Sequence, residues 1–391
     1  MPGNAFLAMV KRKGQNMRLF EPITIRGMEI RNRIVYPAIQ LNMGLTNRRA
    51  RAFYTERANG GAGLLLTANT AIDNLACEEL WGGTEGLALF VARLRLLTDQ
   101  VHEAGARMGL QLWQANRFPQ GRGVQLAGKE MDPTSGDRVA PSAREDMRQL
   151  TIPEIESLIY RFAKASRNVR HAGFDCVEVH GAHRYLPCQF TSPEHNKRTD
   201  KYGGNLAGRM KFGIDLVTAI RAWVGPDFPI LFRLGALEEN GSIHPDSIEY
   251  ARELEKAGVD CLNVSTAGWG RIPAGPPRRY KMGTWAFLAE AIKKSVKIPV
   301  IAVGRINTPE VAEEVLAKGQ ADMVAIGRQL IADPLWPKKV LEGRSHEIVA
   351  CDSCNVYCYA PAFKRRVPKG APICKFNERV GREWEIPPTR T

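Results

Sequence analysis

Eight short runs of β-branched or apolar residues recur along this 391-residue chain, each followed by a turn residue and then a stretch with helical spacing. They are Arg33–Ile39, Gly63–Asn69, Arg107–Trp113, Cys176–Gly181, Pro229–Gly235, Cys261–Ala267, Pro299–Arg305 and Met323–Gln329. Near-continuous apolar runs such as PVIAVG and CLNVS suit parallel strands covered on both faces, since neither face of such a strand meets water. Between strands, the spacing turns helical. In Pro153–His171 the residues Ile155, Leu158, Ile159 and Phe162 fall three and four apart, with Pro153 placed for a first helical turn. Thr308-Pro309-Glu310 ahead of Val311, Val315 and Leu316 repeats that start signal, with Thr308 as N-cap. Eight strand–helix units over about 300 residues predict an α/β fold of the (β/α)8 TIM-barrel type rather than an open doubly wound sheet.

The barrel is expected over 19–345, after an N-terminal extension over 1–18 and before a C-terminal segment over 346–391. The longest insertion, Phe118–Leu150 after the third strand, is rich in Gly, Pro, Arg and Asp and reads as a loop over the barrel mouth. No apolar run has the length of a membrane span, and the start of the chain lacks the apolar stretch of a signal peptide, so a cytoplasmic protein with no membrane partner is expected. Fifty-five Lys and Arg against 41 Asp and Glu give a net charge of +14. The basic residues are scattered and fall in no nucleic-acid module, which argues against nucleic acid as a partner and for a surface that attracts anions.

In a barrel of this kind chemistry belongs at the carboxyl ends of the strands. Polar or turn residues gather at all eight: Pro37-Ala38, Thr67, Gln111, His180 with His183 and Tyr185, Arg233, Ser265, Gly304-Arg305 and Gly327-Arg328. The last two pairs follow strands seven and eight, where barrels bind phosphate, and glycine lets backbone N–H groups approach phosphate oxygens. A tight strand-to-helix turn also wants glycine. Gln111 offers an amide donor and acceptor to a pyrimidine edge, and Arg233 a cation where a reduced isoalloxazine is negative. A loop-satisfying Gln and an ion-paired Arg are the plainer alternatives. His180 and His183, three residues apart, have the spacing to polarise one carbonyl, with the Tyr185 phenol as proton source; a metal-ligating or purely structural pair is the alternative.

Cysteines Cys351, Cys354, Cys358 and Cys374 crowd the end of the chain, whereas Cys77, Cys176, Cys188 and Cys261 stand alone. In a reducing compartment four clustered thiols read as a metal site, and their spacing alone serves a [4Fe–4S] cluster or structural zinc equally.

The segment HGAHRYLPCQFTSPEHNKRTDKYGGNLAGR resembles the old yellow enzyme family of flavin barrels. So do LFEPITIRGMEIRNRIVYPA near the start and IAVGRINTPEVAEEVLAKGQADMVAIGRQLIADPLWPKK near the end, and the resemblance runs from about Leu19 to Asn377. It implies non-covalent FMN held by Pro37, Ala38, Gln111, Arg233, Gly304, Gly327 and Arg328, with Thr67 and Arg305 beside it. It also implies His180 and His183 on a substrate carbonyl and Tyr185 as proton donor. The CxxCN start and the closing Ile373-Cys374-Lys375-Phe376-Asn377 resemble the iron–sulfur branch, which includes 2,4-dienoyl-CoA reductase and trimethylamine dehydrogenase; this implies a [4Fe–4S] cluster on Cys351, Cys354, Cys358 and Cys374.

Within that branch, Tyr185–Phe190 and Asn196–Tyr202 resemble the amine enzyme, and Trp269 matches one aromatic of its substrate bowl. Three departures oppose amine chemistry. His180 replaces a Tyr, the catalytic Asp expected near Gly270-Arg271-Ile272 is missing, and no flavin-attaching Cys stands beside Pro37. The expected activity is therefore reduction of the C=C bond of an α,β-unsaturated carbonyl or dienoyl substrate. The alternative is amine dehydrogenation with electrons leaving through the cluster. Relatives in the branch carry further FAD and nicotinamide domains after the cluster, whereas no second Gly-rich dinucleotide fingerprint follows Cys374 here. A separate electron-donor protein or subunit, NAD(P)H as direct or indirect reductant, a small-molecule substrate and a homo-oligomeric assembly complete the expectation.

Overall fold

The computed structural model describes residues 17–78, 83–114, 117–118, 137–143, 147–236, 244–268, 273, 275–358 and 373–385. Eight parallel strands close on themselves: β1 (Ile34–Tyr36), β2 (Leu64–Leu66), β3 (Arg107–Trp113), β4 (Cys176–Gly181), β5 (Ile230–Gly235), β6 (Cys261–Ser265), β7 (Val300–Ala302) and β8 (Met323–Ala325). Neighbours in sequence are neighbours in the sheet, β8 pairs with β1, and the β3–β4 pairing completes the ring. Each strand is followed by a helix: α1 (Arg48–Asn59), α2 (Thr84–Glu103), α3 (Ile152–His171), α4 (Leu206–Val224), α5 (Pro245–Ala257), α6 (Ala286–Lys293), α7 (Pro309–Ala317) and α8 (Arg328–Ala332). All eight expected strand positions hold a barrel strand, and the fold is the (β/α)8 barrel. Strands β3, β4 and β5 end where expected and carry Gln111, His180 and Arg233 within them, whereas β1, β2, β6, β7 and β8 stop two to four residues short of the expected runs.

Strands β1, β2, β4, β6, β7 and β8 are buried at every position, as a sheet covered by helices outside and packed within requires. Helix α3 begins with a capping box: the Thr151 hydroxyl accepts from the Glu154 N–H, and the Glu154 carboxylate accepts from the Thr151 N–H. Arg148 donates to both Glu154 oxygens at 2.9 and 2.6 Å and holds that carboxyl down at about 2. Thr308 caps α7 with its side-chain oxygen on the Val311 N–H. Across the amino ends of the strands lies a hairpin of Ile23–Ile25 and Met28–Ile30, turning at Arg26 and Gly27, both at positive φ. Ahead of it, the backbone N–H groups of Arg18 and Leu19 donate to the Glu313 carboxylate on α7. Among the described residues no helix is long and apolar enough to cross a membrane.

The insertion after β3 is more than a loop. Arg117–Phe118 pairs antiparallel with Asp137–Ala140, which pairs parallel with Arg148–Gln149. Residues 119–136 lie outside the described residues. Its carboxyl half is clamped from β4's side by the run Asn196–Tyr202. Arg198, almost fully buried, donates to the carbonyls of Pro141 and Leu150 at 2.7 and 2.6 Å and pairs with Asp200. Asn196 donates to the carbonyls of Phe190 and Tyr202, and the Lys197 N–H to the Ser142 hydroxyl. Part of the stretch that resembles the amine enzyme therefore serves the architecture, by fixing the wall above β3 and β4. Arg198→Met leaves two buried carbonyls without their donor, so we expect a loss of about 2–4 kcal/mol in urea unfolding and first proteolytic cleavage within 137–150.

Candidate functional site

The inward face of the barrel alternates along each strand, so Glu178 and His180 of β4 share it with Gln111, Arg233 and Asn263. Register places Glu178 beside Gln111, His180 beside Arg233, and Arg233 beside Asn263. Glu178 has no solvent exposure. Its two oxygens accept from Gln111 Nε2 at 2.5 Å and Asn263 Nδ2 at 2.7 Å, while the Arg233 charge acts on it from β5. Burial raises the carboxyl's pKa; Arg233 and the two amide donors oppose that rise. Above this layer the β4 rim begins.

After β4 the chain turns sharply. His183 and Arg184 take positive φ of 53° and 70°, which swings Tyr185 back over His180. The two imidazole centroids lie 5.0 Å apart, and the Tyr185 ring sits 4.6 Å from His180 and 4.8 Å from Trp113, each pair edge to face. Gly268 makes room for the turn, since a Cβ there would come within 3.0 Å of the His183 Cα. The Ala182 N–H donates to His180 Nδ1 at 3.4 Å, which assigns the ring proton to Nε2. His183 Nε2 lies 2.9 Å from the Ser265 hydroxyl. Burial, helped by His183 and Arg233, holds the His180 pKa well below the usual imidazole value. Burial and then Arg233 lower His183 to about 3. Burial raises Tyr185 to about 12. At neutral pH the site therefore holds two uncharged imidazoles and a protonated phenol.

These groups line a cavity of about 550 Å³ at the carboxyl end of the barrel. Pro37, Ala38, Gln111, His180, His183, Tyr185, Arg233, Gly304, Arg305, Gly327 and Arg328 all reach it. Thr67 does not: it is fully buried one layer down, its hydroxyl accepting the Gln111 N–H at 3.3 Å, so it fixes the strand that carries Gln111. Trp269 lies outside the described residues. Gly304 has φ +115°, and a Cβ there would fall 2.6 Å from the Trp285 ring, so no side-chain-bearing residue fits this turn. Beside the main cavity, a chamber of about 100 Å³ under Leu41, Met43, Leu45 and Trp113 shares Ile39, Gln40 and Asn69 with it.

The cysteine segment docks against β7 and β8. Arg328 donates to Asn355 Oδ1 at 2.6 Å and to the Pro276 carbonyl, Arg305 to the Ser353 hydroxyl and the Arg278 carbonyl, and Asn307 to the Cys351 carbonyl. Cys358 lines the cavity. Cys351, Cys354, Cys358 and Cys374 lie close enough to feel one another's charge. The Ser353 N–H points at Cys351 Sγ at 3.4 Å, and the N–H groups of Phe376 and Asn377 at the Cys374 sulfur. Among the described residues no three or more His, Cys, Asp or Glu side chains converge as ligands of one metal ion.

A model of the family described as "NADH:flavin oxidoreductase / NADH oxidase family" matches residues 18–347. The chain belongs to this family. It is 41% identical over 380 residues to an NADH oxidase of Thermoanaerobacter brockii, covering 93% of this chain and 56% of that protein. It is 33% identical to a cinnamate reductase of Clostridium sporogenes, covering 95% and 59%. Among solved structures, a 2-naphthoyl-CoA reductase complex superposes with TM-score 0.81 at 32% identity, covering 94% of this chain and 58% of that one. The chain spans a little over half the length of these relatives. The family is one of flavin oxidoreductases of the old yellow enzyme type, and the residues present fit FMN. The cavity has the volume and a glycine in the turn after each of β7 and β8, while Gln111 and Arg233 line it and would meet a pyrimidine edge.

Sequence reasoning missed three groups at this site. Glu178 is the one charge in the apolar strand CVEVHG, a signal that such a group is buried with partners. Asn263, in the strand CLNVS, carries a similar signal as the one amide among apolar neighbours. Arg184 gives none, because its backbone conformation is invisible in a string of letters.

The neutral histidines predict a pH dependence of stability. Their folded pKa values lie below the unfolded value near 6.5, so the unfolded chain binds the extra protons. Stability is complete above pH 6.5 and falls as the pH drops from there toward about 3. We expect the urea midpoint of the wild type to fall between pH 7 and pH 5, and that of a His180→Gln, His183→Asn variant to fall less.

Proposed function

We propose that the cavity holds FMN non-covalently and that the protein reduces the C=C bond of an α,β-unsaturated carbonyl compound. Bound there, FMN would supply a hydride to the conjugated substrate. The chain's own groups do the rest. His180 presents Nε2–H to the cavity and His183 stands beside it, so both are placed to hydrogen-bond a carbonyl oxygen without carrying charge. As hydride adds to the far end of the conjugated system, negative charge develops on that oxygen, and fixed donors stabilise it there more than in the ground state. Tyr185, protonated and 4.6 Å ring to ring from His180, supplies the proton to the neighbouring carbon. Arg233 and the amide of Gln111, held by Glu178, would fix the pyrimidine end of the flavin. The single observation that carries this reading is the His180, His183 and Tyr185 cluster on the rim of a cavity with glycine turns on the opposite strands.

Four thiols, N–H groups aimed at two of their sulfurs, and the docking of their segment beside the flavin cavity support a [4Fe–4S] cluster on Cys351, Cys354, Cys358 and Cys374. Such a cluster would relay electrons one at a time. A reduced nicotinamide is the proposed ultimate donor, reaching the flavin directly or through a separate acidic electron-transfer protein that a chain of net charge +14 would attract.

Anaerobic purification with assay of flavin, iron and acid-labile sulfide tests both cofactors. About four iron and four sulfide per FMN is the expected result; zinc in their place overturns the cluster, and a folded protein with no affinity for FMN overturns the whole reading. Tyr185→Phe separates the chemistry. We expect reoxidation of the reduced protein by an enone to slow by 100-fold or more, while reduction of the oxidised protein changes less than about threefold. Equal slowing of both half-reactions removes Tyr185 from the proton-transfer role.

A further inference from the structure

Among the largest side chains with essentially no exposure, Arg57 alone is charged, and nothing in the flavin cavity uses it. It stands in the last turn of α1. Its guanidinium lies 3.4 Å above the centroid of the Phe53 ring, and Nη1 donates to the Phe53 carbonyl at 2.7 Å. The same nitrogen meets the Glu383 carboxylate at 3.2 Å, while Glu56 stands 3.9 Å away and is itself paired with Arg379. Nε and Nη2 are buried with no hydrogen-bond partner among the described residues. An arginine keeps its charge when buried, and one with a purely structural task has its nitrogens satisfied by the fold. Arg57 leaves two of its three unused.

The surroundings of those donors point to an acceptor. Cys374 lies close enough to Arg57 for the cation to favour its thiolate. The Tyr36 hydroxyl, on β1, is likewise buried without a partner, and it lies within electrostatic range of both Arg57 and Cys358. Tyr36, Phe53 and Tyr54 pack edge to face with centroids 5.2 to 6.1 Å apart, so the guanidinium sits beside aromatic rings where charge is weakly screened. From the barrel side, Arg328 acts on Cys351 and Cys358. Cations from α1 and from the turn after β8 therefore act on the same group of thiols. Four thiolates around an iron–sulfur core make a negative centre that gains a further negative charge on reduction. Its potential follows net charge, hydrogen bonds to sulfur and exposure to water.

We propose that Arg57 sets the reduction potential of the centre held by the four cysteines, its buried charge and spare N–H groups favouring the reduced state, and that Glu383 opposes it. This rests on the iron–sulfur reading above and deepens it. Reduction adds one electron to the cluster, and no bond in the protein is made or broken. The Glu383 carboxylate is fixed by the Gly381 N–H at 2.8 Å. The tail that supplies the fourth thiol thus also supplies the anion that moderates Arg57.

The test is a mediated redox titration of the protein loaded with FMN and iron, the cluster read by electron paramagnetic resonance and the flavin by absorbance. In Arg57→Met we expect the one-electron equilibrium of the cluster to move at least tenfold toward the oxidised state, a fall in midpoint of about 59 mV or more. Glu383→Gln raises the midpoint. Arg57→Lys, which keeps the charge without the planar fork, lowers it less than Arg57→Met does. In each variant the flavin midpoint moves less than that of the cluster. All variants are compared at equal iron and sulfide per FMN. An Arg57→Met midpoint that does not fall, or a Glu383→Gln midpoint that does not rise, overturns the proposal; a shift in one shared direction marks loosened packing instead. Should Arg57→Met fail to retain its cluster, the sign of the Glu383→Gln shift decides. Wild-type protein that holds zinc or no metal at the four thiols loses the cluster reading and this proposal with it. A full cluster whose midpoint ignores both residues keeps the cluster reading and loses this proposal alone.

Discussion

The rim of this barrel is organised around a carboxylate that never meets solvent. Isolated in the interior, the charge of Glu178 would cost several kcal/mol, and only paired donors make it tolerable. Gln111 and Asn263 each give it an amide N–H, and Arg233 gives it a countercharge, so β3, β5 and β6 contribute one partner each. The consequence reaches upward. With one amide proton directed down at Glu178, Gln111 keeps its oxygen and second N–H for the cavity, a mixed acceptor and donor face that matches a pyrimidine edge. His180, two residues on along the same face of β4, inherits its position from the same layer. Remove the carboxylate and the donors beneath the cavity lose the common acceptor that orients them.

A second set of contacts joins the barrel to its C-terminal segment. Arg305, Arg328, Asn307 and Gln329 leave β7, β8 and the turns after them and bond to residues between Val349 and Asn355. Asn377 returns a bond to Ile331 at the end of α8. The same two arginines therefore border the flavin cavity and hold the cysteine segment against it. Buried Arg57 on α1 extends this seam, pairing with Glu383 from beyond Cys374. The proposed flavin and cluster, held on one set of side chains, would have a fixed separation, which is what electron transfer between them requires.

Much of this was legible in the letters because barrel strands are short, apolar and end where polarity begins. All eight strands stood at the expected positions, and nearly every strand-end residue chosen for its chemistry reaches one cavity. The failures share a cause. Thr67 has the right chemistry at the right strand end, yet it is one residue out of phase with Leu66, whose partner Gly109 shares a face with Gln111, so its hydroxyl meets the Gln111 N–H instead. The insertion after β3 has a composition of turns, but its short strands pair with one another and are locked by Arg198, a contact 48 residues away from Leu150. The turn at His183 and Arg184 lies in two dihedral angles, which neither propensity nor periodicity encodes.

The charge of the cavity bears on the direction of the chemistry as well as on the substrate. An alkylammonium held about 6 Å from one arginine at an effective dielectric near 20 is repelled by about 3 kcal/mol. Aromatic faces attract a desolvated cation by about 2 kcal/mol, so an edge-to-face pair such as Trp113 and Tyr185 does not offset one such neighbour. The same field lowers the energy of any state in which negative charge grows on the substrate oxygen. Because the imidazoles are uncharged, they add donors to that oxygen without locking it into an ion pair before reaction, and the protonated phenol stands ready for the carbon that gains the charge. A site with neutral donors, fixed cations outside them and a high-pKa acid is complementary to electron-rich intermediates, which is the arrangement that reduction of a conjugated acceptor needs and oxidation of a cationic amine does not.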